Sequence, residues 1–243
     1  MRLDQLLVAR GDYQTRARAQ DAISRGTVSV DGVKAKKAGQ QVDEAAKIEI
    51  SDPASAYVSR AALKLKKGLE HFAFNTEGKT ALDVGASTGG FTQVLLENGA
   101  RHVIALDVGH DQLHPSLVND KRVDQIDGLN ARDLSEEHLF GHKIDMVVSD
   151  VSFISLKLAL PPALNLTISG AQTILLVKPQ FEAGRDAIGK GGILKDPSMG
   201  PKIADDLLNW LDGQPNWSAL DAIQSPITGS DGNIEYLIGG IKA

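Results

Sequence analysis

The stretch Thr80-Ala81-Leu82-Asp83-Val84-Gly85-Ala86-Ser87-Thr88-Gly89-Gly90-Phe91 decides the fold. An apolar strand runs into a glycine-rich loop, and the loop opens a helix that stops at Gly99. The next segment, His102-Val103-Ile104-Ala105-Leu106-Asp107, places an acid at the end of a second strand. From residue 79 onward the pattern predicts strands near 80–84, 102–107, 122–126, 144–149, 172–178, 217–224 and 234–240, with helices between the earlier ones. Such alternation implies an α/β, Rossmann-like sheet of seven mostly parallel strands. A short turn-rich stretch joins the last two strands, which makes them antiparallel.

Ligands of such sheets bind at the carboxyl ends of the strands. A carboxylate at Asp107 can accept both ribose hydroxyls of an adenosine. A dinucleotide fingerprint needs glycine at the second conserved loop position, so that pyrophosphate can approach the backbone. Counted from Gly85, that position is Ser87. S-adenosylmethionine (SAM) has no phosphate; its sulfonium and methionine tail suit the Asp83 carboxylate and the loop amides. The candidate cofactor residues are therefore Asp83, Gly85, Ala86, Ser87, Thr88, Gly89, Gly90, Phe91, Asp107, Val108 and Asp150. Asp127 and Asn130 join them from Asp127-Gly128-Leu129-Asn130 after the third strand, the candidate adenine-contacting loop, although Asp127 also reads as a turn acid.

Composition narrows the chemistry. The chain has 243 residues, no cysteine, and a net charge of −5. Disulfides, thiolate metal sites and cysteine nucleophiles are excluded, and with them the cysteine adduct through which pyrimidine carbon 5 is normally methylated. The six histidines show no metal-ligand spacing, so no metal is expected. No apolar run approaches the roughly 20 residues that cross a bilayer. Asp4 stands where a signal peptide would be apolar, which points to the cytoplasm and away from membranes. Charge is uneven: residues 1–75 carry 13 Lys+Arg against 9 Asp+Glu, the remainder 13 against 22. A basic leading module suits phosphate.

That module reads as helices over 2–9 and 15–25, then the strand Val28-Ser29-Val30-Asp31-Gly32-Val33 with an Asp-Gly turn, and a closing strand Ala46-Lys47-Ile48-Glu49-Ile50. Its segments Arg2-Leu3-Asp4-Gln5-Leu6-Leu7, Thr15-Arg16-Ala17-Arg18-Ala19 and Ile23-Ser24-Arg25-Gly26-Thr27-Val28-Ser29-Val30-Asp31-Gly32 resemble the S4 RNA-binding domain, a small α+β fold. Arg2, Arg16, Arg18, Arg25 and Lys34 are its candidate phosphate contacts. The expected division is an S4 domain at 1–50, a linker at 51–58 and the α/β domain at 59–243. Ser59 is the expected cap of a helix running from Arg60 to about Phe72, with Ala61, Leu65, Leu69 and Phe72 buried. Arg60, Lys64 and Lys67 form a basic stripe on it, and Arg60 is a further RNA candidate.

Four polar residues stand out in apolar or turn settings. Asp150 ends the fourth strand (Asp145-Met146-Val147-Val148-Ser149-Asp150), and Lys178 follows Ile174-Leu175-Leu176-Val177. An unpaired buried ammonium there would be costly. Glu235 opens the last strand in Gly229-Ser230-Asp231-Gly232-Asn233-Ile234-Glu235-Tyr236, and Lys64 lies on the entering helix. Together they resemble the Lys-Asp-Lys-Glu tetrad of the FtsJ-type ribose 2′-O-methyltransferases. With the S4 segment in front, the chain resembles the TlyA family from Arg2 to about Tyr236. Further segments carrying the likeness are Ser59-Arg60-Ala61-Ala62-Leu63-Lys64-Leu65, Ser152-Phe153-Ile154-Ser155-Leu156, Lys178-Pro179-Gln180-Phe181-Glu182 and Gly189-Lys190-Gly191-Gly192-Ile193.

The resemblance implies a SAM-dependent methyltransferase that modifies cytidine riboses in ribosomal RNA, acting as a monomer. Because this chain starts and ends close to the shared motifs, it is expected to act on the large subunit. A 2′-hydroxyl needs a base; a free lysine, near ~10.4, is mostly protonated, and its surroundings must favour the neutral amine. Lys178 is the expected base, Asp150 and Glu235 the groups that orient the lysines, and Lys64 a positive charge beside the developing alkoxide. Exocyclic amine methylation usually shows an Asn/Asp-Pro-Pro-aromatic segment, where this chain has Asp150-Val151-Ser152-Phe153. The alternative from another class is a non-catalytic RNA-binding ribosome assembly factor. The haemolysin label carried by some members would need an amphipathic or spanning segment, and none is present.

Overall fold

A computed structural model describes residues 1–229 and 231–243, and the chain divides into two compact units, 1–56 and 57–243. The first unit contains α1 (Leu3–Ala9), α2 (Arg16–Ser24), and a sheet of β1 (Val28–Val30), β2 (Val33–Lys34) and β3 (Ile48–Ile50), with β1 central and antiparallel to both neighbours. Thr15 caps α2 by accepting the Arg18 N–H at 3.3 Å. Leu3, Leu7, Ala19, Ala22, Ile23 and Val28 form the core.

The boundary between the two units falls inside residues 51–58, the expected linker, whose first residues are held by the first unit. Asp52 and Ala54 are buried. The Arg25 guanidinium donates to both Asp52 oxygens, at 2.7 and 2.9 Å, and the Tyr13 hydroxyl donates to Asp52 at 3.0 Å. These charge-assisted bonds tie residue 52 to the first unit. Tyr57, by contrast, packs into the core of the second.

The second unit begins with α3 (Ala62–Phe72), two residues later than expected. Ser59 does not cap it; its hydroxyl accepts the Ala61 N–H at 3.2 Å in the turn before the helix. The sheet strands are β4 (Thr80–Val84), β5 (His102–Leu106), β6 (Val123–Ile126), β7 (Ile144–Ser149), β8 (Thr167–Val177), β9 (Trp217–Gln224) and β10 (Tyr236–Lys242), in the order β6-β5-β4-β7-β8-β10-β9. The first five are mutually parallel, and β10 lies antiparallel between β8 and β9. The helices are α4 (Gly90–Glu97), α5 (Pro115–Val118), α6 (Leu156–Ala159), α7 (Pro161–Asn165), α8 (Pro179–Glu182) and α9 (Met199–Asp212). Between β6 and β7 the chain forms only short 3₁₀ turns, Ala131–Asp133 and Glu136–Leu139.

All five residues of β4 are buried, as a strand covered on both faces requires. Two apolar clusters, one around Leu82, Ile104 and Val147 and one around Leu65, Phe91 and Val103, make up the core. The chain moves outward from β4 to β5 and β6, then returns to β7 on the other side of β4. That reversal opens a crevice at the carboxyl ends of β4 and β7.

Candidate active site

The segments that follow β4, β5, β6, β7 and β8 deliver side chains to this crevice. Gly85 follows β4 with φ +84°, and a Cβ there would lie 3.0 Å from the Val151 backbone. Only glycine therefore lets the loop pass so close to the segment after β7. Gly89, at φ +92°, then turns the chain into α4. The loop and its surroundings enclose a cavity of about 610 Å³, a size suited to a small-molecule ligand. Its walls include Gly85, Ser87, Asp107, Val108, Asn130 and Asp150. Asp107 accepts the Ser87 N–H through one oxygen and the Gly109 N–H through the other, both at 2.8 Å, so each oxygen keeps acceptor capacity for a diol. Gly85, Ala86, Ser87, Thr88, Gly90 and Phe91 line a second cavity of about 150 Å³, together with Asp150, Ser152 and Lys178.

Two acids expected at the cofactor line neither cavity, and Gly89 lines neither. Asp83 is fully buried beneath the loop, where it accepts the Thr92 hydroxyl at 2.7 Å. Burial pushes its carboxyl up to about 7; the charges of Asp150 and Asp107 add to the rise, and the Thr92 hydrogen bonds oppose it. Asp127 accepts from the Gln125 amide and the Asp111 N–H at 2.8–2.9 Å, which fits its reading as a turn acid. Sequence reasoning gave no cavity role to Gln112, Arg132, Phe153, Ile154 or Leu158, and reached Leu129 only as part of the candidate adenine-contacting loop. The run Ser152 to Leu156 carries the family likeness, but no periodicity says that Phe153 stands 89% exposed at φ +65°.

Lys64, Asp150, Lys178 and Glu235 meet. Lys64 Nζ lies 2.6 Å from Glu235 and 3.7 Å from Asp150, and Lys178 Nζ lies 2.6 Å from the other Asp150 oxygen. Asp150 thus bridges the two amines. Side-chain exposures of 7%, 15%, 10% and 2% for Lys64, Asp150, Lys178 and Glu235 place the cluster in the protein interior. Two positive and two negative groups balance, which is how charge survives burial. Lys64 therefore sits with the tetrad, and not on a solvated basic face with Arg60 and Lys67. The reason is local: a Cβ on Gly68 would lie 2.9 Å from Ile174, so α3 sits tightly on β8 and turns this face inward. Glu235 immediately precedes β10. Ser230, in the same motif, lies outside the described residues.

In the first unit the basic candidates divide. Arg25 is committed to Asp21 and Asp52, with a side chain only 15% exposed, and this structural task competes with phosphate contact. Arg2 and Arg16 both reach the fully buried Asp4, and with Gln20 they hold its carboxyl below the usual carboxylate range, the Arg2 hydrogen bond foremost. Both arginines remain partly exposed. Arg18 donates to the Ala54 carbonyl at 3.4 Å, and Lys34 is exposed. In the second unit, Arg60 is half-buried just before α3.

At the opposite end of the sheet, His102, Asp124 and His142 bring ligand-type atoms within 4.8 Å of one another. Linear spacing did not reveal this group. His102 Nε2 lies 2.8 Å from Asp124, and the two imidazoles stack at 4.2 Å and 19°. We read the group as a carboxylate bonded to one imidazole and overlaid by another.

Comparison with known proteins agrees with this architecture. The FtsJ-like methyltransferase family matches residues 57–242, and the S4 domain matches residues 1–48. The chain belongs to the FtsJ-like methyltransferases. Within them it falls in the TlyA group: it is 42% identical, over 98% of its length and 88% of the relative's, to the 16S/23S rRNA (cytidine-2'-O)-methyltransferase TlyA of Mycobacterium tuberculosis. It is 41% identical to a protein named hemolysin A from Brachyspira hyodysenteriae, covering 98% of each chain. A solved structure from Streptococcus thermophilus, titled a hemolysin, matches all of this chain and 88% of its own with a TM-score of 0.77 at 37% identity. The methyl donor of an FtsJ-like methyltransferase is SAM, and the larger cavity, with the Asp107 carboxylate and glycine-loop amides in its wall, fits it. No helix among the described residues is long and apolar enough to cross a membrane.

Proposed function

We propose that this protein methylates the ribose 2′-hydroxyl of cytidine in ribosomal RNA, with the large subunit as its main target and the cytoplasm as its place of work. One observation carries the chemistry: two amines joined by a bridging carboxylate, buried beside a cavity that fits SAM. Asp107 would hold the ribose of the cofactor, Val108, Leu129 and Ile154 its base, and the Gly85–Ser87 loop its methionine end. SAM supplies an electrophilic methyl group.

The residues of the chain do the rest. Lys178 releases its resting proton before the reaction and, as the neutral amine, accepts the 2′-hydroxyl proton, while Asp150 holds that amine in place. Lys64, held by Glu235, puts positive charge beside the oxygen as it becomes an alkoxide. Catalysis of this kind depends mostly on positioning and fixed charge. Sequence-specific proteins read RNA chiefly as splayed single-stranded bases, and Phe153, exposed beside both cavities' shared wall, offers a stacking surface for one. The S4 unit supplies phosphate contacts through Arg2, Arg16, Arg18 and Lys34, and the protein works as a monomer.

The test is transfer of labelled methyl from SAM to purified ribosomal subunits, with the product mapped by mass spectrometry. Lys178→Ala should lower transfer by at least ~10³-fold while SAM affinity stays within a few fold. Transfer to a base rather than a ribose, or no transfer by the wild type, would refute the proposal.

A further inference from the structure

Lys178 has a third partner besides the Asp150 carboxylate and a long contact to the Asp150 carbonyl at 3.4 Å: the Ser152 hydroxyl accepts from its Nζ at 2.7 Å. An amine nitrogen has three positions beyond its own carbon. Asp150 and Ser152 engage two of them closely, which leaves the third for a substrate proton entering from the cavity that Lys178 and Ser152 both line. Ser152 is solvent-exposed and lies in a loop whose next residue, Phe153, has φ +65°. Without a restraint such a loop would sample other conformations.

The restraint comes from Glu182, four residues beyond Lys178. The Ser155 hydroxyl donates to one of its oxygens at 2.6 Å, and the Leu156 N–H donates to the other at 2.8 Å. The two segments are therefore joined at both ends, through Lys178–Ser152 and through Glu182–Ser155/Leu156. This closed ring accounts physically for two sequence motifs that the tetrad alone leaves unexplained, 152–156 and 178–182.

We propose that Ser152 is a positioning residue for Lys178, aiming its amine at the incoming ribose hydroxyl, and that Glu182 acts through Ser152 by fixing the loop. The assignment rests on Lys178 being the proton acceptor. It is tested with full-length Ser152→Ala, Ser152→Thr and Glu182→Ala proteins and the Ser152/Glu182 double variant, alongside wild type and Lys178→Ala. For Ser152→Ala, kcat should fall ~10- to 50-fold with KM for RNA and SAM affinity changed less than ~3-fold, because only alignment is lost. Ser152→Thr, which keeps the hydroxyl, should return kcat to within ~3-fold of wild type. The double variant should be little worse than Ser152→Ala, since residues acting through one contact are non-additive. Ser152→Ala at wild-type kcat while Lys178→Ala is inactive overturns the inference, as does equal impairment of the alanine and threonine variants, or full additivity with Glu182→Ala. Absence of transfer by the wild type would instead overturn the reading on which the inference rests.

Discussion

Asp83→Asn should make the protein's stability less sensitive to pH, and the structure sets the size of the effect. The Asp83 side chain is fully buried under the glycine-rich loop, and its Oδ1 has no hydrogen-bond partner among the described residues. Its carboxyl is pushed up to about 7, whereas an unfolded chain titrates it near ~3.9. Between those values the folded state keeps a proton that the unfolded state has released. Stability contributed by this group is therefore complete below about pH 4 and is lost as pH rises to about 7. Three units at ~1.4 kcal/mol each come to ~4 kcal/mol. The asparagine cannot ionise and escapes that loss. Its amide needs a partner that Oδ1 lacks, a cost of ~1–3 kcal/mol that is the same at every pH. Urea denaturation of both proteins at pH 5 and pH 8 separates the two effects, since other titrating groups cancel in the difference. The variant should gain ~2–4 kcal/mol on the wild type between the two pH values. A difference that stays constant within ~0.5 kcal/mol would refute the account of a protonated carboxyl under the loop.

Three further outcomes follow from the same geometry. Glu235→Ala leaves the Lys64 ammonium with Asp150, at 3.7 Å, as its one carboxylate among the described residues, and should cost ~3 kcal/mol in thermal or urea denaturation as well as activity; a loss below ~1 kcal/mol would mean the pair is not coupled. Gly85→Ala forces a left-handed alanine against the Val151 backbone; it should destabilise by ~2 kcal/mol or more and weaken SAM binding measured by calorimetry, and unchanged affinity would contradict the close approach. Asp4, held below the ordinary range by Arg2, Arg16 and Gln20, stabilises the first unit above about pH 4 and loses that contribution as pH falls. Asp4→Asn should therefore lower the stability of that unit near neutral pH and flatten its acid limb, as read by hydrogen exchange.

The sheet was legible because its strands are apolar, bounded by glycine or acid, and regularly spaced. Local pattern alone marks β4 and its glycine loop, and the acid at Asp107 falls where a crevice must open. Where the pattern misleads, a tertiary contact intervenes. Residues 51–58 look like a linker, yet Asp52 is the partner of Arg25, a pairing across 27 positions that no window of sequence contains. Arg25, read in sequence as a candidate phosphate contact, is the arginine that carries this pairing. Lys64 repeats with Arg60 and Lys67 as an exposed stripe would, but Gly68 draws that helix face onto β8.

The site was legible in a different sense. Each member of the cluster is conspicuous alone, a charged residue at the end of an apolar strand or in a glycine-rich turn, yet nothing in the linear order says that Asp150 must face both lysines. Topology does that. β4 and β7 are neighbours because the chain reverses at that point, which sets Asp150 beside the loop; β8 follows β7 and brings Lys178; and β10, returning antiparallel against β8, sets Glu235 beside the α3 lysine. Burying four charges there demands a balance of signs, since an unbalanced ammonium would be neutralised or expelled. A single replacement of either carboxylate therefore disturbs more than the lysine it touches, and charge-removing swaps of nearly equal size, Asp150→Asn or Glu235→Gln, should be tolerated worse than their shape suggests.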